Sequence, residues 1–223
     1  MREQRDPDGR MPYRLWYDEL EIDTIMEDEL RRSGTARIGE AAVDVDAFIE
    51  NYLRITPEYV DLPAGVQGAT DFSRDGSVRM RISAALAERA GRQEPGAEHR
   101  IRTTLAHEAA HVELHRVLFL KQSEELFGGQ PTRTELCRDI RQVGPGYTGE
   151  WWEWQANRGM AALLMPRSEV IDIAGPWTGA ALRDGKLVQI IARRFHVSTQ
   201  AVCFRLEQIK GSSQNPRQPA LAF

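Results

Sequence analysis

Apolar residues near the start of the chain recur at helical spacing. Between 14 and 30 they fall at Leu15, Leu20, Ile22, Ile25, Met26 and Leu30 among acids, which predicts an amphipathic helix. A second helix is predicted over 45–54, where Val45, Phe48, Ile49, Tyr52 and Leu53 share one face. The period then shortens to two. Stretches 66–72 and 77–82 read as strands, with Val78, Met80 and Ile82 alternating with Arg79 and Arg81, and Arg74-Asp75-Gly76 reads as the hairpin turn between them. A long helix is expected over 99–120. Its apolar positions, Ile101, Leu105, Val112, Leu118 and Phe119, spread round the whole circumference, as in a helix buried on several sides. Segment 150–165 is helical again and stops at Pro166, and two short helices follow in 187–209, joined at Phe195-His196-Val197.

Other stretches lack such order. Residues 121–149 are polar, rich in glycine and broken by Pro131 and Pro145. A run of that length without apolar periodicity predicts a lid or a binding insertion. The polar ends, 1–12 and 212–223, are predicted to be disordered. This leaves a main domain over 13–175 and a helical C-terminal subdomain over 180–211. A chain of 223 residues with 41% hydrophobic and 28% charged residues is long enough for one ordinary core. The net charge of −4 argues against a basic field that draws a protein onto nucleic acid or anionic lipid. No apolar run reaches membrane-spanning length, the charged N-terminus is not a signal peptide, and Cys137 and Cys203 are too few for a secreted disulfide framework. The expected location is the cytoplasm.

The chemistry concentrates in His107-Glu108-Ala109-Ala110-His111, inside the long helix. Histidines four apart lie on one face, one turn above the other, so both imidazoles reach one metal ion. Glu108 lies about 100° round the helix, placed to hold a water at that ion without ligating it. His115 continues the series, but eight residues of helix rise about 12 Å, so it cannot share an ion with His107. It reads as a packed or supporting histidine. The third ligand is sought in Glu153-Trp154-Gln155-Ala156-Asn157. Asn157, one turn after Glu153 on the same face, is placed to hydrogen-bond a ligating histidine and fix its tautomer. Glu150 lies on nearly the same face and remains a rival. The plainer reading of Glu153 is an acid that complements the helix macrodipole.

Taken together, LAHEAAHVELH (105–115) and EWQANRGMAALLMP (153–166) resemble the ImmA/IrrE family of metallopeptidases, as do VDVDAFIENYL (43–53), the strand pair and FHVSTQAVCFRLEQI (195–209). The resemblance spans most of 40–210. It implies that His107, His111 and Glu153 bind zinc, with manganese as the alternative metal, and that Glu108 is the general base. It also implies a specific substrate, a partner helix-turn-helix repressor. The chain departs from the family pattern at Gly159-Met160, where Phe-Ala is usual; a mid-helix glycine costs about 1 kcal/mol relative to Ala. The 121–149 stretch is longer than expected, and a chain ending near 223 is expected to lack the sensor domain of some relatives.

Weaker signals remain. Segment 187–209 has a helix-turn-helix rhythm with Arg193, Arg194, Arg205 and Lys210 on it, although His196 stands where a turn glycine is usual. A packing or partner-docking role is preferred there to DNA contact. Trp151, Trp152 and Trp154 read as core plus groove wall. Cys137 reads as an ordinary thiol, and nothing in the sequence places Tyr147. The expected fold is α+β and mainly helical: a minimal gluzincin-like zinc-peptidase domain with a small β-sheet, followed by the helix-turn-helix-like subdomain. The expected activity is zinc-dependent endopeptidase cleavage of a partner protein. The alternative is a non-hydrolytic metal-binding or DNA-binding regulator that sequesters its partner.

Overall fold

In the computed structural model, residues 1–6, 13–35, 42–73, 76–125, 133–138, 151–175 and 178–214 are described. The chain starts with a two-stranded antiparallel ribbon, β1 (Arg2–Arg5) against β2 (Tyr13–Trp16). β1 stands at 2–5 where the sequence reading expected disorder over 1–12, and β2 replaces the start of the helix expected from residue 14; residues 7–12 lie outside the described residues. Leu15 is fully buried while its neighbours Arg14 and Trp16 are not, so residues 14–16 follow the period of a strand. β1 satisfies its polar backbone by pairing with that anchored strand. Helix α1 (Glu19–Ser33) begins only at Asp18, whose side chain accepts from Glu21 N while Glu21 reaches back to Asp18 N. It ends at Gly34, in the left-handed region at φ +66°.

The predicted 45–54 helix is present as α2 (Val45–Ala47) running into a π-helical turn, Phe48–Leu53, that buries Phe48 and Ile49. A four-stranded sheet follows in the order β3-β5-β4-β6. Its strands are β3 (Glu58–Val60), β4 (Val66–Phe72), β5 (Val78–Ser83) and β6 (Arg133–Arg138). β4 and β5 form the predicted antiparallel hairpin, and β3 joins β5 in parallel. β6 comes from the polar 121–149 stretch and pairs antiparallel with β4, with the register slipping between Val66 and Gly68. Its sequence, RTELCR, has too little apolar alternation to be read as a strand alone; the pairing makes it one. Cys137 thus has a place in the sheet backbone, whereas Tyr147, Glu150 and much of the proposed insertion lie outside the described residues.

Helix α3 (Ala84–Gly91) leads into α4 (Ala97–Glu125), the predicted central helix. Ala106, Ala109, Ala110 and Leu114 are all buried with no exposed surface. Helix α5 (Trp151–Leu164) packs along α4, and Gly159 explains the departure noted in the sequence. A Cβ at position 159 would lie 2.8 Å from Ala110 Cβ, 3.2 Å from Leu114 Cδ1 and 3.3 Å from Met26 Cε. Ala110 Cβ is attached directly to the backbone and cannot swing away. The glycine therefore sets the distance between α4 and α5, with α1 closing over the same point.

After Pro166 the chain forms α6 (Arg167–Ala174), α7 (Thr178–Ala181), α8 (Gly185–Phe195) and α9 (Thr199–Gln214). The predicted turn at His196 adopts the left-handed conformation, φ +51° and ψ 51°, the geometry for which glycine is usual. Val188, Ile191, Phe195, Val202, Leu206 and Ile209 belong to the same apolar cluster as Leu15, Ile22 and Leu163. An ionic knot ties these helices to α1. Asp23 accepts from Arg205 at 2.8 Å and from Arg158 at 3.3 Å, with Arg167 at 3.8 Å. Arg205 is fully buried and also donates to Met165 O at 2.9 Å. This separates Arg205 from Arg193 and Lys210, with which the sequence reading placed it on the helix-turn-helix-like segment. Arg194 pairs with Glu169 at 2.9 Å, while Arg193 and Lys210 are exposed.

Two stability predictions follow from these contacts. Gly159→Ala gains about 1 kcal/mol of helix propensity but overpacks a rigid contact at a cost of about 1–3 kcal/mol. Denaturant unfolding is expected to show a net loss, with a lower midpoint and an unchanged slope. Asp23→Ala leaves buried guanidinium groups without their shared carboxylate and should destabilise the fold by about 3–5 kcal/mol, measured in the same way.

Candidate metal centre

Antiparallel apposition of α4 and α5 brings together the residues singled out in the sequence. One ligand atom each from His107, His111 and Glu153 lies within 4.8 Å of the others. His107 Nε2 is 2.9 Å from His111 Nε2 and 3.3 Å from Glu153 Oε2, and His111 Nε2 is 3.5 Å from Glu153 Oε1. Both histidines are buried, and the Glu153 side chain retains 13% exposure. Helical spacing predicted the two histidines. Their meeting with Glu153 depends on the distance that Gly159 allows.

The other ring nitrogens identify what belongs between these atoms. His107 Nδ1 lies 3.1 Å from Asn157 Oδ1, the contact expected from the Glu153/Asn157 spacing. Asn157 Oδ1 can only accept, so the His107 proton sits on Nδ1 and leaves Nε2 as a bare lone pair. His111 Nδ1 lies 3.0 Å from His115 Nδ1, and His115 Nε2 lies 3.0 Å from Gln155 Oε1. His115 is therefore a supporting residue, as the helical rise required. Burial, reinforced by the neighbouring His111, pushes its pKa down to about 3, so the ring is neutral. With Nδ1 of His111 engaged, two imidazole lone pairs and a carboxylate converge within contact distance. Such acceptors repel one another unless a cation lies among them, and two nitrogens with one carboxylate oxygen are a donor set suited to zinc. The residues fit a divalent metal.

Glu108 faces the sheet. Its Oε2 accepts from Thr70 Oγ1 on β4 at 2.7 Å, and a Cβ at Gly68 would lie 2.5 Å from its Oε1. β4 can cross this close to the carboxylate because position 68 has no side chain. Burial raises the pKa of Glu108, opposed by His107, His111 and the Thr70 hydrogen bond. Among the described residues, Oε1 has no hydrogen-bond partner. Thr70, Gly68 and Gln155 were not found from the sequence. No motif marks the strand positions, and Gln155 sits off the Glu153/Asn157 face.

Residues 96–207 match the IrrE N-terminal-like domain, a peptidase family. The chain belongs to this family. The matched segment runs from the start of α4 into α9 and contains His107, Glu108, His111, Glu153 and Asn157. The resemblance to this family noted in the sequence is borne out. The chain matches no curated protein. No helix among the described residues is long and apolar enough to cross a membrane.

The His107, His111 and Glu153 group could hold a metal ion, which sets the test. Wild-type protein should hold about one zinc per chain by elemental analysis. His107→Ala, His111→Ala and Glu153→Ala should each remove most of it, while Thr70→Val should retain it. Stoichiometric zinc in either histidine variant would contradict the assignment.

Proposed function

We propose that the protein is a zinc-dependent endopeptidase that cleaves a specific partner, a helix-turn-helix transcriptional repressor. The observation that carries the metallopeptidase reading is the convergence of His107 Nε2, His111 Nε2 and Glu153 oxygens with Glu108 on the adjoining face of α4. A divalent ion held there would supply Lewis acidity to the scissile carbonyl and to a water. The protein's own residues do the remaining work. Glu108 takes the proton of the attacking water and returns it to the leaving amine, and burial, which raises its pKa, favours the protonated form it passes through. The Thr70 hydroxyl steadies one carboxylate oxygen and leaves the other for proton transfer. Asn157 keeps the His107 proton on Nδ1, and Glu153 contributes the negative charge that offsets part of the metal's.

Repressor specificity rests on the family resemblance and on the architecture round the centre. The helices α8 and α9, joined at the left-handed His196, offer a helix-turn-helix-like surface on which Arg193 and Lys210 are exposed. Docking there would use binding energy remote from the reacting bond to position one peptide segment. A DNA-binding alternative is weakened because Arg205 lies inside the protein against Asp23. The metal-binding regulator without hydrolysis is separated from the peptidase by one substitution.

Glu108→Gln is nearly isosteric and cannot take the proton, so it should keep zinc and the fold and lower cleavage by about 10²–10⁴-fold. The assay follows discrete fragments of a helix-turn-helix repressor encoded in the adjacent gene, by gel and mass spectrometry. Wild-type-like cleavage by this variant would remove Glu108 as the base. Rapid digestion of unfolded casein at many bonds would overturn the specific-partner reading.

A further inference from the structure

The metal centre continues past His111 through a line of hydrogen bonds that leaves the matched 96–207 segment and ends in the N-terminal ribbon. His111 Nδ1 meets His115 Nδ1 at 3.0 Å, His115 Nε2 meets Gln155 Oε1 at 3.0 Å, and Gln155 Nε2 donates to Leu15 O at 2.9 Å. All of these contacts are buried. We propose that His115 and Gln155 are positioning residues that transmit the acceptor character of the Leu15 carbonyl to His111, placing its proton on Nδ1 and presenting Nε2 to the metal. The inference rests on the metal-centre reading above.

The direction of the line follows from its end. A backbone carbonyl only accepts, so the group facing Leu15 O must be the Gln155 amide nitrogen, and Gln155 Oε1 must face His115. That oxygen also only accepts, so the proton of the neutral His115 ring is on Nε2 and its Nδ1 is a lone pair. His111 must then donate from Nδ1. Reversing any one bond places two acceptors against each other in a buried site. Packing holds the line in register. Trp151 meets the His115 ring edge to face, with centroids 5.6 Å apart and planes at 88°. On either side of Leu15 the ribbon is tied down: Trp16 stacks on Trp154 at 5.4 Å with planes 1° apart, and Tyr17 donates its hydroxyl to Leu114 O at 3.3 Å. His107 takes its tautomer separately, from Asn157. The two histidine ligands are therefore oriented by independent partners, one on the matched helix pair and one anchored outside it.

Imidazole ¹⁵N shifts of the metal-free protein read each tautomer directly. Wild type is expected to show His111 and His107 protonated on Nδ1 and His115 on Nε2. Gln155→Met keeps the side-chain length but removes both hydrogen bonds. It should turn His111 into a mixture of tautomers, leave His107 unchanged and weaken zinc binding about 10–100-fold in a competition titration with a chelator. His115→Phe keeps a ring against Trp151 without the acceptor and should weaken zinc similarly; it guards against a fold defect peculiar to the Gln155 variant. A wild-type His111 protonated on Nε2 would overturn the proposal, as would a Gln155→Met protein with unchanged His111 tautomer and unchanged zinc affinity. Wild-type protein with the expected tautomers but no zinc affinity would sink the metal-centre reading and leave the hydrogen-bond line standing.

Discussion

Helices α4 and α5 approach so closely that a single methyl group at position 159 would lie 2.8 Å from Ala110 Cβ. The metal centre depends on that distance. Ala110 sits between the two histidines on α4, and Gly159 lies less than two turns beyond Glu153 on α5. If the helices stood apart by the width of a side chain, Glu153 would not reach both imidazoles, Asn157 would lose His107, and Gln155 would lose His115. Helix propensity favours almost any other residue at a mid-helix position. The glycine is tolerated because the interface it permits brings Glu153, Gln155 and Asn157 of α5 to bear on one face of α4.

A second constraint keeps this pair of helices from sliding. Asp23 on α1 gathers guanidinium groups from α5, the start of α6 and α9, so one carboxylate fixes three elements against the first long helix. Buried ion groups of this kind add little net stability over an apolar core but penalise alternative packings severely, because each misplacement leaves a charge unpaired in a poorly polarisable surrounding. The ribbon β1–β2 serves the same end by different means. Leu15 fills the core, Trp16 and Tyr17 attach to α5 and α4, and the Leu15 carbonyl terminates the hydrogen-bond line to His111. On the adjoining face of α4, strand β4 presses Gly68 and Thr70 against Glu108, so neighbouring faces of one helix are served by different layers.

Much of this was legible before any coordinates. Apolar periodicity placed α4, α5, the β4–β5 hairpin and the α8–α9 pair within a few residues, because burial on one face leaves a repeat in the chain itself. It misjudged residues 2–5 and 13–16, where Leu15 fits a helical pattern as well as a strand, and it missed β6, whose polar sequence becomes a strand only by pairing with β4. The glycine at 159 stood out as an anomaly, yet its reason lay in Ala110, Leu114 and Met26, three residues from two other helices.

The pairs His107/His111 and Glu153/Asn157 were legible in the sequence because each is local: four residues of helix return a side chain to the same face whatever surrounds it. That Glu153 and not Glu150 joins the histidines was implied only by the family resemblance. The same arithmetic excluded His115 as a partner of His107 for one ion. Only tertiary structure decided that Arg205 is buried against Asp23, that Thr70 holds Glu108, and that Gln155 joins His115 to a carbonyl 140 residues away in sequence. No periodicity encodes such contacts. They arise where packed elements leave a buried polar group that must find a partner, and the identity of that partner is set by which distant backbone happens to face it.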